Sequence, residues 1–101
     1  AVADTAARCN DAAARINALE ESILDIKARY WALRLKKGVP ANELKVNPGS
    51  TIPDPDLKAR FYATLRRWFD ADDLPKLTEA EVSRFVKADG EAYSLYRECR
   101  L

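Results

Sequence analysis

Cys9 and Cys99 are the only cysteines in the chain, and they stand close to its two ends. A bond between them requires their Cα atoms to come within ~7 Å. That requirement decides which arrangements of the intervening chain are open to it.

The first segment is a long helix. From Cys9 the apolar residues step by three and four through Ala12, Ile16, Leu19, Ile23, Ile26, Tyr30 and Leu33, an unbroken heptad seam. Asp4 or Thr5 suits its start, and Gly38 and Pro40 end it. Asp25 and Arg29 form a favourable i,i+4 pair. The helix is expected over residues 5–37, about 50 Å at the helical rise.

Residues 38–54 carry three of the five prolines and two of the three glycines. Asn47-Pro48-Gly49-Ser50 reads as a type II turn, with glycine accepting positive φ. Pro40 suits one short helical turn through Leu44. The second helix starts at Asp54, a good N-cap, followed by Pro55 at the first helical position. Its apolar stripe is Leu57, Phe61, Leu65, Trp68 and Phe69, and it is expected to run to Asp73, before Pro75. The third helix, over 78–100, opens with the capping box Thr78-Glu79-Ala80-Glu81, with Leu77 and Val82 spaced as a hydrophobic staple. Gly90 predicts a kink or a split in its middle.

Three helices joined by short turns would run up, down, up and leave Cys9 and Cys99 at opposite ends. The long connection removes the conflict. Extended, residues 38–54 reach up to ~56 Å, and returning from residue 37 to the level of residue 13 needs only ~36 Å. The second helix then runs parallel to the first, the third returns antiparallel, and Thr78 lies near Tyr30. The expected fold is therefore all-α: one domain over residues 1–101, a three-helix bundle with a long N-terminal helix, a Pro/Gly-rich crossover loop and an αα-hairpin. Closing so long a loop would stabilise the fold by about 4–5 kcal/mol in the chain-entropy account.

Composition narrows the function. With 48% hydrophobic and 33% charged residues, the chain has the make-up of a globular protein. A net charge of +1 supplies no bulk attraction to nucleic acid. No apolar run approaches the ~20 residues of a membrane span. With no histidine, Ser-His-Asp and Cys-His catalysis and the common zinc sites are excluded. No cofactor or metal is expected. The start Ala1-Val2-Ala3, the absence of methionine and the even cysteine count read as a chain freed of a targeting segment in an oxidising setting: periplasm, extracellular space or organelle lumen.

The C-terminal third of the first helix interleaves Lys27, Arg29, Arg34, Lys36 and Lys37 with Tyr30, Trp31, Leu33 and Leu35. Cations there complement the helix dipole, and Tyr30 and Leu33 continue the seam. Trp31 and Leu35 lie off it. An apolar tip rimmed by charge suits protein docking, with Tyr30, Trp31 and Leu35 as anchors and Arg34 and Lys37 at the rim. Val39, Leu44 and Val46 are the alternative cover for that tip. The seam itself also suits a partner helix, so a homodimer through the first helix is open.

Two resemblances stand beside this reading. Asp70, Asp72, Leu77 and Glu81 resemble part of an EF-hand loop, but Leu74 stands at a ligand position and Pro75 where that family has glycine. The helix lengths, Ile16-Asn17-Ala18-Leu19-Glu20-Glu21 and the pair Ser94 and Glu98 are similar to the all-helical chorismate mutases. That resemblance implies an enzyme clamping a dicarboxylate through Arg15, Arg29 and Lys36. Where the family has an arginine–glutamate pair in its second helix, this chain has Leu57 and Lys58. The expected function is non-enzymatic: an accessory subunit, secretion adaptor or inhibitor that binds a protein and no nucleic acid.

Overall fold

The computed structural model describes residues 2–38 and 47–99, with side chains from Cys9 onward. The described residues form four helices and no strand: α1 (Val2–Ser22), α2 (Leu24–Lys36), α3 (Pro55–Asp70) and α4 (Glu79–Cys99). Residues 39–46, which hold the expected helical turn and the proposed cover of Val39, Leu44 and Val46, lie outside the described residues, as do residues 100 and 101.

α1 and α2 are the expected first helix, broken once at Ile23. There φ is −122° and ψ 15°, and the Ile23 N–H turns to the Glu20 carbonyl at 3.3 Å. Two side chains take up the backbone at the break. The Ser22 hydroxyl donates to the Leu19 carbonyl at 2.6 Å, and Arg84 of α4 donates to the Ser22 carbonyl at 3.2 Å. Side chains that compete for ladder carbonyls are a recognised cause of such breaks. Residues 2–4 are already helical, so Asp4 and Thr5 lie inside α1 rather than capping it. At the far end Gly38 has φ +76° and donates to the Leu35 carbonyl, the left-handed stop expected of it.

α3 ascends beside this rod. Asp54 N–H meets Asn17, Arg60 meets Glu21, Trp68 meets Asp25, and Lys36 donates to the Ala71 carbonyl. Both residue numbers rise together, so α3 runs parallel to α1 and α2. α4 descends: Arg29 meets Glu81, Arg84 meets Ser22, Glu91 meets Arg15, and Cys99 is bonded to Cys9 with Cα atoms 5.5 Å apart. The order of directions and the end-to-end bond agree with the arrangement the cysteines demand. α3 packs on α2, and α4 chiefly on α1, so the last two helices are held by the rod more than by each other. The molecule is elongated, 52 × 29 × 22 Å.

Local signals fare unequally. Asp54 caps α3 through the Asp56 N–H at 3.1 Å. Thr78 and Glu81 exchange both bonds of the capping box, at 2.9 and 3.2 Å. Of the two staple residues, Leu77 packs on the cluster of Ile23, Ile26 and Phe85, while Val82 is 42% exposed. α3 ends at Asp70, three residues early, and α4 runs through Gly90 without a break. The Asn47–Ser50 turn closes with a 3.0 Å bond, yet Gly49 lacks the positive φ of a type II turn. Its glycine answers a different need. An added Cβ would sit 2.7 Å from the Tyr62 ring, and the Gly49 N–H donates to the Tyr62 hydroxyl at 2.9 Å.

The core lies mostly beyond Ile23. One cluster joins Ala28, Ile52, Leu57 and Phe61, and a second joins Ile23, Ile26 and Phe85. Between the break and the disulfide the buried apolar residues are Ala12 and Ile16 of α1 and Ala92 of α4. Much of the heptad seam, Ala12, Ile16, Ile23 and Ile26, is buried within the chain itself. No described helix is long and apolar enough to cross a membrane.

Candidate functional site

Toward the pole opposite the disulfide, α2 and α3 border an apolar groove. Leu35, Tyr62, Leu65 and Phe69 form its walls, with Arg66 at its edge. Its volume is about 490 Å³, the size of a pocket for one or two bulky side chains. Phe69 is 39% exposed, an unusual position for a phenylalanine. Arg66 is held by Asp70 at 2.8 Å, one helical turn on.

The residues expected at the tip divide between this groove and the core. Leu35 lines the groove. Tyr30 is half-buried against Phe85, ring centroids 4.7 Å apart, and meets Trp31 edge-on at 5.7 Å. Trp31 is also half-buried and packs on the Ala28–Phe61 cluster. Both rings therefore spend part of their surface on the core. Arg34 lies over both, at 5.7 and 5.5 Å, and donates to the Tyr30 hydroxyl at 3.3 Å. This cation is fixed on an aromatic platform. Lys37 is exposed at the C-cap of α2.

Two basic residues of the same run are structural. Lys27 is buried between Glu20, at 2.9 and 3.1 Å, and Asp89, at 3.1 Å, with its ammonium 5.6 Å from the Phe61 ring centre. Burial raises the Glu20 carboxyl above its ordinary range, and Lys27 partly opposes the shift. Arg29 pairs with Glu81 at 2.6 Å and reaches Asp25 at 4.0 Å. The Thr78 backbone N–H, then Arg29, hold the Glu81 carboxyl below its ordinary range. Glu81 thus serves as cap and ion-pair partner, which occupies the last ligand of the EF-hand-like segment. Among the described residues no group of three acids, cysteines or histidines is placed to hold a metal.

Arg15, Arg29 and Lys36 do not converge. Arg15 pairs with Glu91 at 3.2 Å, Arg29 with Glu81, and Lys36 bonds a backbone carbonyl after α3. At the helical rise they are spread over ~30 Å of the rod. Glu98 borders a cleft of about 430 Å³ with Asp11, Arg15 and the disulfide, at the opposite pole from Lys36. A single dicarboxylate cannot span that distance.

Tyr62, Leu65, Arg66 and Phe69 were not marked as a site by the sequence. Their signal is present in α3 as a second apolar line. Leu57, Phe61 and Trp68 follow one heptad line toward α2, while Tyr62, Leu65 and Phe69 follow another about 100° round. A stripe this wide exceeds what one partner helix covers. Comparison with protein-family models, with curated proteins and with solved structures finds no match to this chain.

Proposed function

We propose that this chain is a non-enzymatic protein-binding module of an oxidising compartment, an accessory subunit, adaptor or inhibitor. It captures a bulky apolar side chain of a partner protein in the groove between α2 and α3. α3 and α4 form a returning hairpin, and the disulfide and the groove stand at opposite poles. The observation that carries this reading is the groove of Leu35, Tyr62, Leu65 and Phe69, with a phenylalanine left 39% exposed. Leu35 remains a contact residue. Tyr30, Trp31 and Arg34 act as its rigid backing, and Lys37 stands beside it. The Cys9–Cys99 bond supports an oxidising home.

The test is titration of the isotope-labelled oxidised chain with an amphipathic helical peptide carrying leucine and phenylalanine at i, i+4 and i+7. Backbone shifts should concentrate on residues 33–37 and 62–70, and Phe69→Glu or Leu35→Asp should abolish them. Absence of binding at millimolar peptide, or shifts scattered over α1 and α4, would contradict the reading.

A further inference from the structure

α4 has a second face that the described residues leave exposed. At 100° per residue, Glu79, Val82, Ser83, Val86, Gly90, Tyr93 and Arg97 lie on one side, about 120° round the helix from buried Phe85 and Ala92. Val86 is 62% exposed, Tyr93 53% and Val82 42%. Gly90 is exposed among them, and a Cβ added there would meet nothing within 4 Å. Neither positive φ nor close packing within the chain calls for glycine at this point, although glycine weakens a helix interior. It leaves a notch beside Val86 in an apolar stripe.

The ends of the stripe are charged with opposite sign, Glu79 in the first turn and Arg97 in the last. Arg97 lies over the Tyr93 ring at 5.9 Å. Turned end for end, the face is its own complement. Pairing positions whose numbers sum to 176 sets Glu79 against Arg97, Ser83 against Tyr93, and Val86 against Gly90. A parallel arrangement would instead set Glu79 against Glu79 and Arg97 against Arg97. We infer that α4 is the contact face of an isologous, antiparallel dimer, with each Val86 seated in the partner's Gly90 notch and a Glu79–Arg97 pair closing both ends.

A two-fold axis passes near residue 88, so every contact is made twice. The face is one helix wide and about 27 Å long, below the span of a standard obligate interface. The dimer is therefore weak and concentration-dependent, and its end pairs weaken as salt screens them. Its residues are separate from the α2–α3 groove, so the two surfaces can fail independently.

Sedimentation equilibrium of the full oxidised chain, from micromolar to millimolar concentration, reads this out. The expected result is a reversible monomer–dimer equilibrium that weakens with salt. Gly90→Leu should improve the helix while filling the notch, raising thermal stability and weakening the dimer by about tenfold or more. Glu79→Arg and Arg97→Glu should each weaken the dimer, and the double exchange should restore it. A chain that stays monomeric at millimolar concentration overturns the inference. So does a dimer indifferent to Gly90→Leu, or one that the double exchange fails to rescue.

Discussion

The two halves of the N-terminal rod are held in different ways. Beyond Ile23, α2 is wrapped by α3 and the start of α4 around two apolar clusters, with Phe61 fully buried at the centre. Before Ile23, α1 meets α4 through Ala12, Ile16 and Ala92, an exposed Arg15–Glu91 pair and the Cys9–Cys99 bond. Burying a phenylalanine or an isoleucine contributes about 1.5–3 kcal/mol, and each alanine far less; the α1 half buries one such residue, Ile16, beside alanines. The covalent bond therefore stands where the hydrophobic packing is thin. A long helix with one well-packed end and one bolted end can keep a groove open at the first without fraying at the second.

The largest effect on this contrast is expected at the boundary between the halves. Lys27 joins Glu20 of α1 to Asp89 of α4 inside the core. Lys27→Ala should cost about 3–5 kcal/mol by leaving Glu20 buried without its cation. The double change Glu20→Leu with Lys27→Met should recover most of that loss. Denaturant midpoints measure both. A cost below about 1 kcal/mol for Lys27→Ala would mean that water reaches the pair and that the boundary is not sealed.

A smaller effect separates two carboxylates by the sign of their pH dependence. Glu81, lowered by the Thr78 N–H and Arg29, contributes stability above the ordinary glutamate value of about 4.3 and loses it as pH falls through its lower folded value. Glu20, raised by burial, contributes fully below that value, and its contribution is lost as pH rises through its higher folded value. Stability should therefore decline through Glu81 as pH falls below the ordinary glutamate value, and through Glu20 as pH rises above it. Glu81→Gln should flatten the first slope and Glu20→Gln the second. Melting curves from acid to neutral pH check both, and swapped slopes would contradict the burial assigned to Glu20 and the Thr78 and Arg29 contacts assigned to Glu81.

Much of the architecture was legible in the residues. The all-helical fold, the caps at Asp54 and Thr78, the stop at Gly38 and the direction of each helix follow from periodicity, capping chemistry and the demand that Cys9 meet Cys99. What was not legible turned on tertiary partners. Lys27 read as one more surface cation because nothing local reveals that Glu20 and Asp89 will surround it. The break at Ile23 has one of its carbonyls taken up by Arg84, more than sixty residues away. Gly49 read as a turn glycine, whereas it answers the Tyr62 ring. Trp31 read as an exposed anchor because it lies off the heptad seam, but α3 supplies a second buried face there. The groove itself escaped notice because Leu65 and Phe69 were counted into a single stripe with Leu57 and Phe61, and Tyr62 was left outside it.

Amide hydrogen exchange on the oxidised and the reduced chain tests the division of the rod most directly. On reduction, protection should fall sharply over residues 9–20 and 90–99. It should be largely kept over residues 24–33 and 57–65, where the two apolar clusters hold the chain. Equal loss along the whole chain would contradict this account, because the groove-bearing half would then depend on the bond as much as the half that contains it.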